Sequence, residues 1–176
     1  MNTAKLQRYF DKREKAVVEI RLLSREIVRH SAKSILLSLN HKFDKALNEF
    51  LMAKKKFNKL AKLDDKQFNV EGEVAEAYIV FHALRDNKLV DNSGFTPEAY
   101  VYGLLDAVGE FKRAIFDYIR KGDYEKANTL FNISKKIYNL LFPMNISRAV
   151  LPDFKRKLDV VRIQLDQIDL ALLGPR

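Results

Sequence analysis

The sequence predicts an all-α fold, a single-domain helical bundle of about six to seven helices. Only 6 Gly and 4 Pro interrupt 176 residues. Apolar residues make up 47% of the chain, and they recur at three- and four-residue spacing without the alternation typical of strands. No linker-like stretch divides the chain, so residues 1–176 are expected to form one domain.

The net charge of +9 is distributed unevenly along the chain. Residues 1–63 contain 16 Lys and Arg against 6 Asp and Glu, whereas residues 64–176 contain 16 against 17. This asymmetry favours a polyanionic partner, most simply nucleic acid, and a solvated basic surface is the alternative. The absence of Cys excludes disulfides and thiolate metal sites. With no signal-peptide pattern and no long apolar run, the sequence favours a cytoplasmic protein without membrane contacts.

Two helices are predicted in the basic part of the chain, over residues 3–38 and 42–63. Basic side chains recur every four residues on the first helix, so they share a face that suits a phosphate backbone. Lys residues crowd the C-terminal end of the second helix, where they either complement the helix dipole or contact phosphate. With one residue from a later helix, the predicted nucleic-acid-binding residues are Arg21, Arg25, Arg29, Lys33, Lys54, Lys55, Lys56 and Arg113.

The acidic part of the chain predicts four further helices with recognisable ends. Thr96 is a good N-cap with Pro97 at the first helical position, and Gly122 is a stop signal. Pro152 is expected near the start of the last helix. These helices are predicted over residues 70–86, 96–121, 123–141 and 147–172.

The helix over residues 96–121 is apolar on nearly every side, which is typical of a buried helix. Gly103 and Gly109 each cost about 1 kcal/mol in a helix interior, so we expect close helix packing at both positions. Asp106 and Glu110 lie on one face of this helix, where their like charges repel each other. A cation between them would remove that repulsion.

A second carboxylate pair, Glu73 and Glu76, lies on one face of the helix over residues 70–86. Two helices that each present such a pair can form an all-oxygen pocket of the kind that Mg²⁺ or Mn²⁺ prefers. Two such ions can stabilise both the attacking and leaving oxygens of a phosphodiester. The alternative is that these acids are simply solvated. Motifs for phosphate loops, dinucleotide binding, serine hydrolases and di-iron bundles are absent.

Several segments together resemble one known family. Residues 98–114, EAYVYGLLDAVGEFKRA, resemble a D/E-Y-x-x-G-x-x-D-L-x-G-E-x-x-R segment, and residues 122–124 resemble the G-D-Y turn that follows it. Residues 169–176, DLALLGPR, resemble the end of the last helix of that family. Residues 22–36 and 73–84, LLSREIVRHSAKSIL and EVAEAYIVFHAL, resemble two further family segments. In this order, the segments resemble the translin superfamily, and specifically its Trax-like (translin-associated factor X) type.

The resemblance implies a seven-helix bundle that assembles into a hollow octamer enclosing single-stranded RNA or DNA. It also implies a Mg²⁺-dependent endoribonuclease, with catalytic and metal-binding roles for Glu73, Glu76, Asp106 and Glu110. Translin itself lacks this acidic set. The loop over residues 87–95 is shorter than in longer Trax proteins, and the Lys cluster of residues 54–62 matches no family motif. A homo-octamer without a separate translin partner is therefore expected, and co-assembly with a translin-like subunit is the alternative. A non-catalytic single-stranded RNA- or DNA-binding protein and a scaffold bundle are the alternatives.

Overall fold

A computed structural model describes residues 3–63, 68–92 and 94–174, which contain six α-helices and no strand. The all-α class is therefore confirmed. None of the helices described is long and apolar enough to cross a lipid bilayer. The helices are α1 (Thr3–Leu39), α2 (Phe43–Leu60), α3 (Phe68–Asp86), α4 (Pro97–Arg120), α5 (Tyr124–Leu141) and α6 (Phe154–Leu173).

Helix α3 lies between the two halves of the bundle. It packs against α1 and α2 on one side and against α4 on the other, while α4 also contacts α5 and α6. One hydrophobic cluster joins α1, α2 and α3, and a larger cluster surrounds α4. Leu104, Phe111 and Ile115 of α4 are completely buried, which confirms the prediction of a buried helix.

A buried carboxylate fixes the start of α4 against α3. The Thr96 side chain accepts a hydrogen bond from the Ala99 N–H at 3.3 Å, so Thr96 is the predicted N-cap. The Thr96 N–H and hydroxyl donate to the two carboxylate oxygens of Glu71, at 3.1 and 2.7 Å. Glu71 is buried in α3, so these bonds set the position of α4 relative to α3.

Replacing Glu71 with Ala is expected to lower the free energy of unfolding by about 3 kcal/mol, since it removes two hydrogen bonds between a charged, buried carboxylate and the start of α4. Thermal unfolding followed by circular dichroism measures this effect. Glu125→Ala, which removes an exposed carboxylate from the first turn of α5, is the matched control and should change stability by less than about 1 kcal/mol. Equal losses in both variants would contradict the structural role given to Glu71.

The last helix begins at Phe154, seven residues later than the predicted start at residue 147. Residues 147–151 form turns, in which the Leu151 N–H donates to the Ser147 carbonyl at 3.0 Å. Pro152 has no N–H to donate, and it disfavours helical geometry at the residue before it. These turns therefore cannot continue into α6.

Candidate functional site

The candidate site forms where α3 and α4 approach each other closely. A Cβ atom added to Gly103 would lie 2.8 Å from the Glu76 backbone nitrogen and 2.9 Å from the Ala75 Cβ, so only glycine fits at this crossing. At Gly109, an added Cβ would make an ordinary contact of 3.6 Å with the Gln164 side chain. The prediction of close packing is thus confirmed at Gly103 and is wrong at Gly109.

This crossing brings the four predicted carboxylates within electrostatic range of one another. Burial raises the pKa of the Glu76 carboxyl to about 8, and the charges of Asp106, Glu73 and Glu110 contribute to this rise in that order of importance. Burial, and then the charge of Asp106, also raises the pKa of Glu73. The structure therefore places the two pairs near each other.

Two basic side chains each form an ion pair with one acid of the cluster. Lys157 of α6 forms an ion pair with Asp106, and Arg113 Nη1 lies 2.9 Å from Glu110 Oε2. Glu73 and Glu76 have no hydrogen-bond or ion-pair partner among the residues that the structure describes. Two of the four carboxyl groups are thus not in direct contact with a basic side chain among the described residues.

The donor chemistry of this cluster suits a hard divalent cation, because every candidate ligand is a carboxylate oxygen. Across residues 3–63, 68–92 and 94–174, however, no three Asp, Glu or His side chains are positioned to hold one ion as they stand. Asp106 and Glu110 are engaged by their basic partners instead. Metal binding by the four carboxylates therefore remains a prediction.

Lys157 is the member of this site that sequence reasoning missed. It lies 51 residues from Asp106 along the chain, and its ammonium group is 5.6 Å from the centre of the Tyr102 ring. No spacing rule links residues on α4 and α6. The contact between Lys157 and Asp106 can be recognised only from the packing of α6 against α4.

Part of the predicted nucleic-acid surface is exposed, and part takes part in contacts between α1 and α2. Lys33 Nζ lies 2.5 Å from Glu49 Oε1, and Lys56 Nζ lies 2.8 Å from Glu26 Oε2. Among the ion pairs described, Arg113 is the predicted nucleic-acid-binding residue that contacts the carboxylate cluster. The exposed members of the predicted surface are Arg21, Arg25, Arg29, Lys33, Lys55 and Arg113.

Lys54 is engaged by the loop that precedes α4. Its ammonium group donates to the Gly94 carbonyl at 3.0 Å and lies 3.9 Å from the centre of the Phe95 ring. Burial also lowers the pKa of Lys54. These contacts indicate that Lys54 stabilises the loop, so its predicted role in nucleic-acid binding has a structural alternative.

Solved structures share this arrangement of helices. AfC3PO in complex with duplex RNA superposes with a TM-score of 0.88 at 23% identity, over 99% of this chain and 96% of that chain. The crystal structure of AfC3PO gives 0.87 at 24% identity, with the same coverage of both chains. Apo-NeC3PO gives 0.88 at 19% identity, over 98% of this chain and 96% of that chain. The chain has the C3PO fold.

The C3PO fold confirms the expected translin-like architecture, and at these identities the likeness is one of fold alone. In sequence, an uncharacterized protein of Methanocaldococcus jannaschii is 27% identical over 166 residues, which span 88% of this chain and 73% of that protein. No protein-family profile matches the sequence.

Proposed function

We propose that this protein is a Mg²⁺-dependent endoribonuclease of the Trax-like type in the translin superfamily, which cleaves single-stranded RNA inside a hollow oligomer. The observation that carries the proposal is the proximity of four carboxyl groups at the α3–α4 crossing, where burial and then the charges of the other three raise the pKa of Glu76. The C3PO fold supports the choice of nucleic acid, since AfC3PO has been solved with duplex RNA.

The residues of the cluster have separate roles in this proposal. Glu73, Glu76, Asp106 and Glu110 would hold Mg²⁺, which supplies Lewis-acid polarisation of the scissile phosphate and activation of water when bound. Lys157 and Arg113 hold Asp106 and Glu110 in place before RNA arrives. Both cations lie against members of the carboxylate cluster, so in this proposal they transfer to phosphate oxygens of the backbone when RNA binds.

The proposal is tested by the cleavage of end-labelled single-stranded RNA with Mg²⁺ and with EDTA. We expect cleavage by the unmodified protein only with Mg²⁺, and a loss of at least about a hundredfold in Asp106→Ala and Glu110→Ala. Asp169→Ala removes an exposed carboxylate of α6 and should cleave normally. The duplex form of the same RNA shows whether the strand must be unpaired. Cleavage that persists in EDTA, or in both site variants, would overturn the proposal.

A non-catalytic RNA-binding protein is the second candidate function. It is favoured by the ion pairs of Asp106 and Glu110, which give these carboxylates a structural role. In that case the unmodified protein binds single-stranded RNA equally well with Mg²⁺ and with EDTA, and it cleaves in neither.

RNA binding through the exposed basic row of α1 should depend strongly on salt. Replacing Arg21, Arg25 and Arg29 together with Ala is expected to reduce the slope of log K against log salt by about 0.7 for each phosphate that the protein no longer neutralises, hence by about 2 in total. Fluorescence anisotropy over a salt series measures the slope. A variant that lacks the exposed cations Lys135, Lys136 and Arg162 is the control. If no RNA binds even at low salt, the protein is a scaffold and both RNA functions are wrong.

A further inference from the structure

A cleft of about 960 Å³ lies between the α1–α2 turn and the C-terminal part of α4. Its aliphatic and aromatic wall includes Leu36 and Phe116, and Leu36 is exposed. His41, which has a left-handed backbone conformation (φ 56°), also lines the cleft, and its Nε2 lies 3.3 Å from the Tyr118 hydroxyl. The lining of the cleft thus combines apolar side chains with polar ones.

The rim of this cleft carries an excess of positive charge. Arg113, Arg120 and Lys121 line it, and Asp117 is the acidic residue among them. Arg120 Nη2 lies 3.0 Å from one Asp117 carboxylate oxygen, and Lys121 Nζ lies 2.5 Å from the other. The side chains of Arg120 and Lys121 are nevertheless 77% and 64% exposed. A phosphate group can therefore reach both cations from solvent and replace the Asp117 carboxylate as their partner.

Arg113 links the cleft to the carboxylate cluster along α4. Glu110, Arg113, Asp117 and Arg120 follow one another at spacings of three, four and three residues, so they share a face of the helix. Arg113 contacts Glu110 and also lines the cleft. With a rise of about 1.5 Å for each residue, the two ends of this row lie about 15 Å apart, which is a few nucleotides of an extended strand.

We propose that this cleft binds the ribonucleotides on one side of the scissile phosphate, with Arg120 and Lys121 on a backbone phosphate and a base against Leu36 and Phe116. The inference rests on the proposed function, because it takes the carboxylate cluster as the place of cleavage. Combined contacts of this kind, cations on phosphate and an apolar surface under a base, are typical of single-strand binding.

Arg120 and Lys121 have a local alternative role, since basic residues in the last turn of a helix stabilise its dipole. That role predicts a loss of stability when they are replaced and no effect on RNA. The two roles therefore differ in a quantity that can be measured.

The test compares three variants by fluorescence anisotropy, with single-stranded RNA in EDTA so that no cleavage occurs. Arg120→Ala/Lys121→Ala should weaken binding by about tenfold or more. Asp117→Asn should strengthen binding several-fold, because it removes the carboxylate that competes with phosphate. The control Lys136→Ala/Arg162→Ala removes the same two charge types from exposed positions outside the cleft, and it should weaken binding by about twofold at most.

A series of RNA lengths locates the contact relative to the cleavage site. With Mg²⁺, nucleotides added on one side of the cleaved bond should lower KM for the unmodified protein and for the control. The same additions should leave KM unchanged in Arg120→Ala/Lys121→Ala.

The inference is overturned if the double variant and the control weaken binding equally, or if Asp117→Asn does not strengthen it. Thermal unfolding of each variant shows whether it is folded, and Asp117→Asn is decisive because its expected effect is a gain. If the protein cleaves RNA normally but the cleft variants bind RNA no differently from the control, only this inference is wrong. A cleft effect on binding without any cleavage contradicts the proposed function and leaves a phosphate-binding cleft.

Discussion

Replacing Glu76 with Gln is expected to abolish Mg²⁺-dependent RNA cleavage and to make the metal-free protein more stable at alkaline pH. The buried Glu76 carboxyl, surrounded by Asp106, Glu73 and Glu110, has a pKa raised from its ordinary value of 4.5 to about 8. Ionising it in the folded protein is therefore unfavourable, and a neutral amide of nearly the same shape avoids that cost. Since an amide is a weaker ligand than a carboxylate for a hard cation, the same change should remove the proposed metal binding.

The raised pKa of Glu76 sets the direction of the pH dependence. Below pH 4.5 the carboxyl is protonated in both the folded and the unfolded chain, and it costs nothing. Between pH 4.5 and about 8 the unfolded chain loses this proton while the folded chain keeps it, so stability falls as the pH rises. Above pH 8 the cost is constant, on the order of 5 kcal/mol.

Thermal unfolding at pH 5 and pH 8.5 in EDTA measures this effect. The melting temperature of the unmodified protein should fall more steeply with pH than that of Glu76→Gln, and adding Mg²⁺ at pH 8.5 should raise only the former. Glu125→Gln, an exposed site on α5, is the control and should follow the unmodified protein. If the melting temperatures of Glu76→Gln and of the unmodified protein change with pH in parallel, Glu76 is not the carboxyl group with the raised pKa.

Replacing Gly103 with Ala is expected to produce the largest loss of stability of any single methyl group added to α4. The new Cβ would lie 2.8 Å from the Glu76 backbone nitrogen, and neither helix backbone can yield without moving its neighbours. Overpacking of this kind costs about 1–3 kcal/mol. Because the same shift moves Glu73 and Glu76 away from Asp106 and Glu110, cleavage should fall about a hundredfold if a displacement near 1 Å results.

Gly109→Ala provides a matched control on the same helix. Its Cβ would lie 3.6 Å from the Gln164 side chain, an ordinary contact, so the gain in helix propensity of up to about 1 kcal/mol should appear as added stability. Urea unfolding should therefore show a lower stability for Gly103→Ala and a higher stability for Gly109→Ala. The cleavage rate should fall far more in Gly103→Ala than in Gly109→Ala. Equal effects would mean that the Gly103 crossing does not hold the site together.

The helices could be predicted from the sequence because their signals are local. Thr96 with Pro97 marks the start of α4, and Gly122 follows its end with φ 74°, where a side chain would be strained. The exception is the start of α6, which is predicted at residue 147, before Pro152, although the helix begins at Phe154, after it. Pro152 therefore precedes this helix and does not lie within it.

The membership of the candidate site was only partly predictable. Spacing placed Glu73 with Glu76 and Asp106 with Glu110, since residues three or four apart share a helix face whatever the tertiary structure. Spacing alone does not show that α6 brings Lys157 to Asp106, or that Lys54 is occupied by the loop before α4. These contacts join residues that are tens of positions apart along the chain.

The sequence by itself determined the all-α class, the buried character of α4 and the two carboxylate pairs. The tertiary structure alone decided that the two pairs lie near each other, that Gly103 and not Gly109 lies at a close crossing, and that Arg113 of α4 lines a cleft together with residues of α1. The physical reason is that helix periodicity and capping act within a few residues. The distance between two helices depends instead on their rotation and crossing, which the whole core sets.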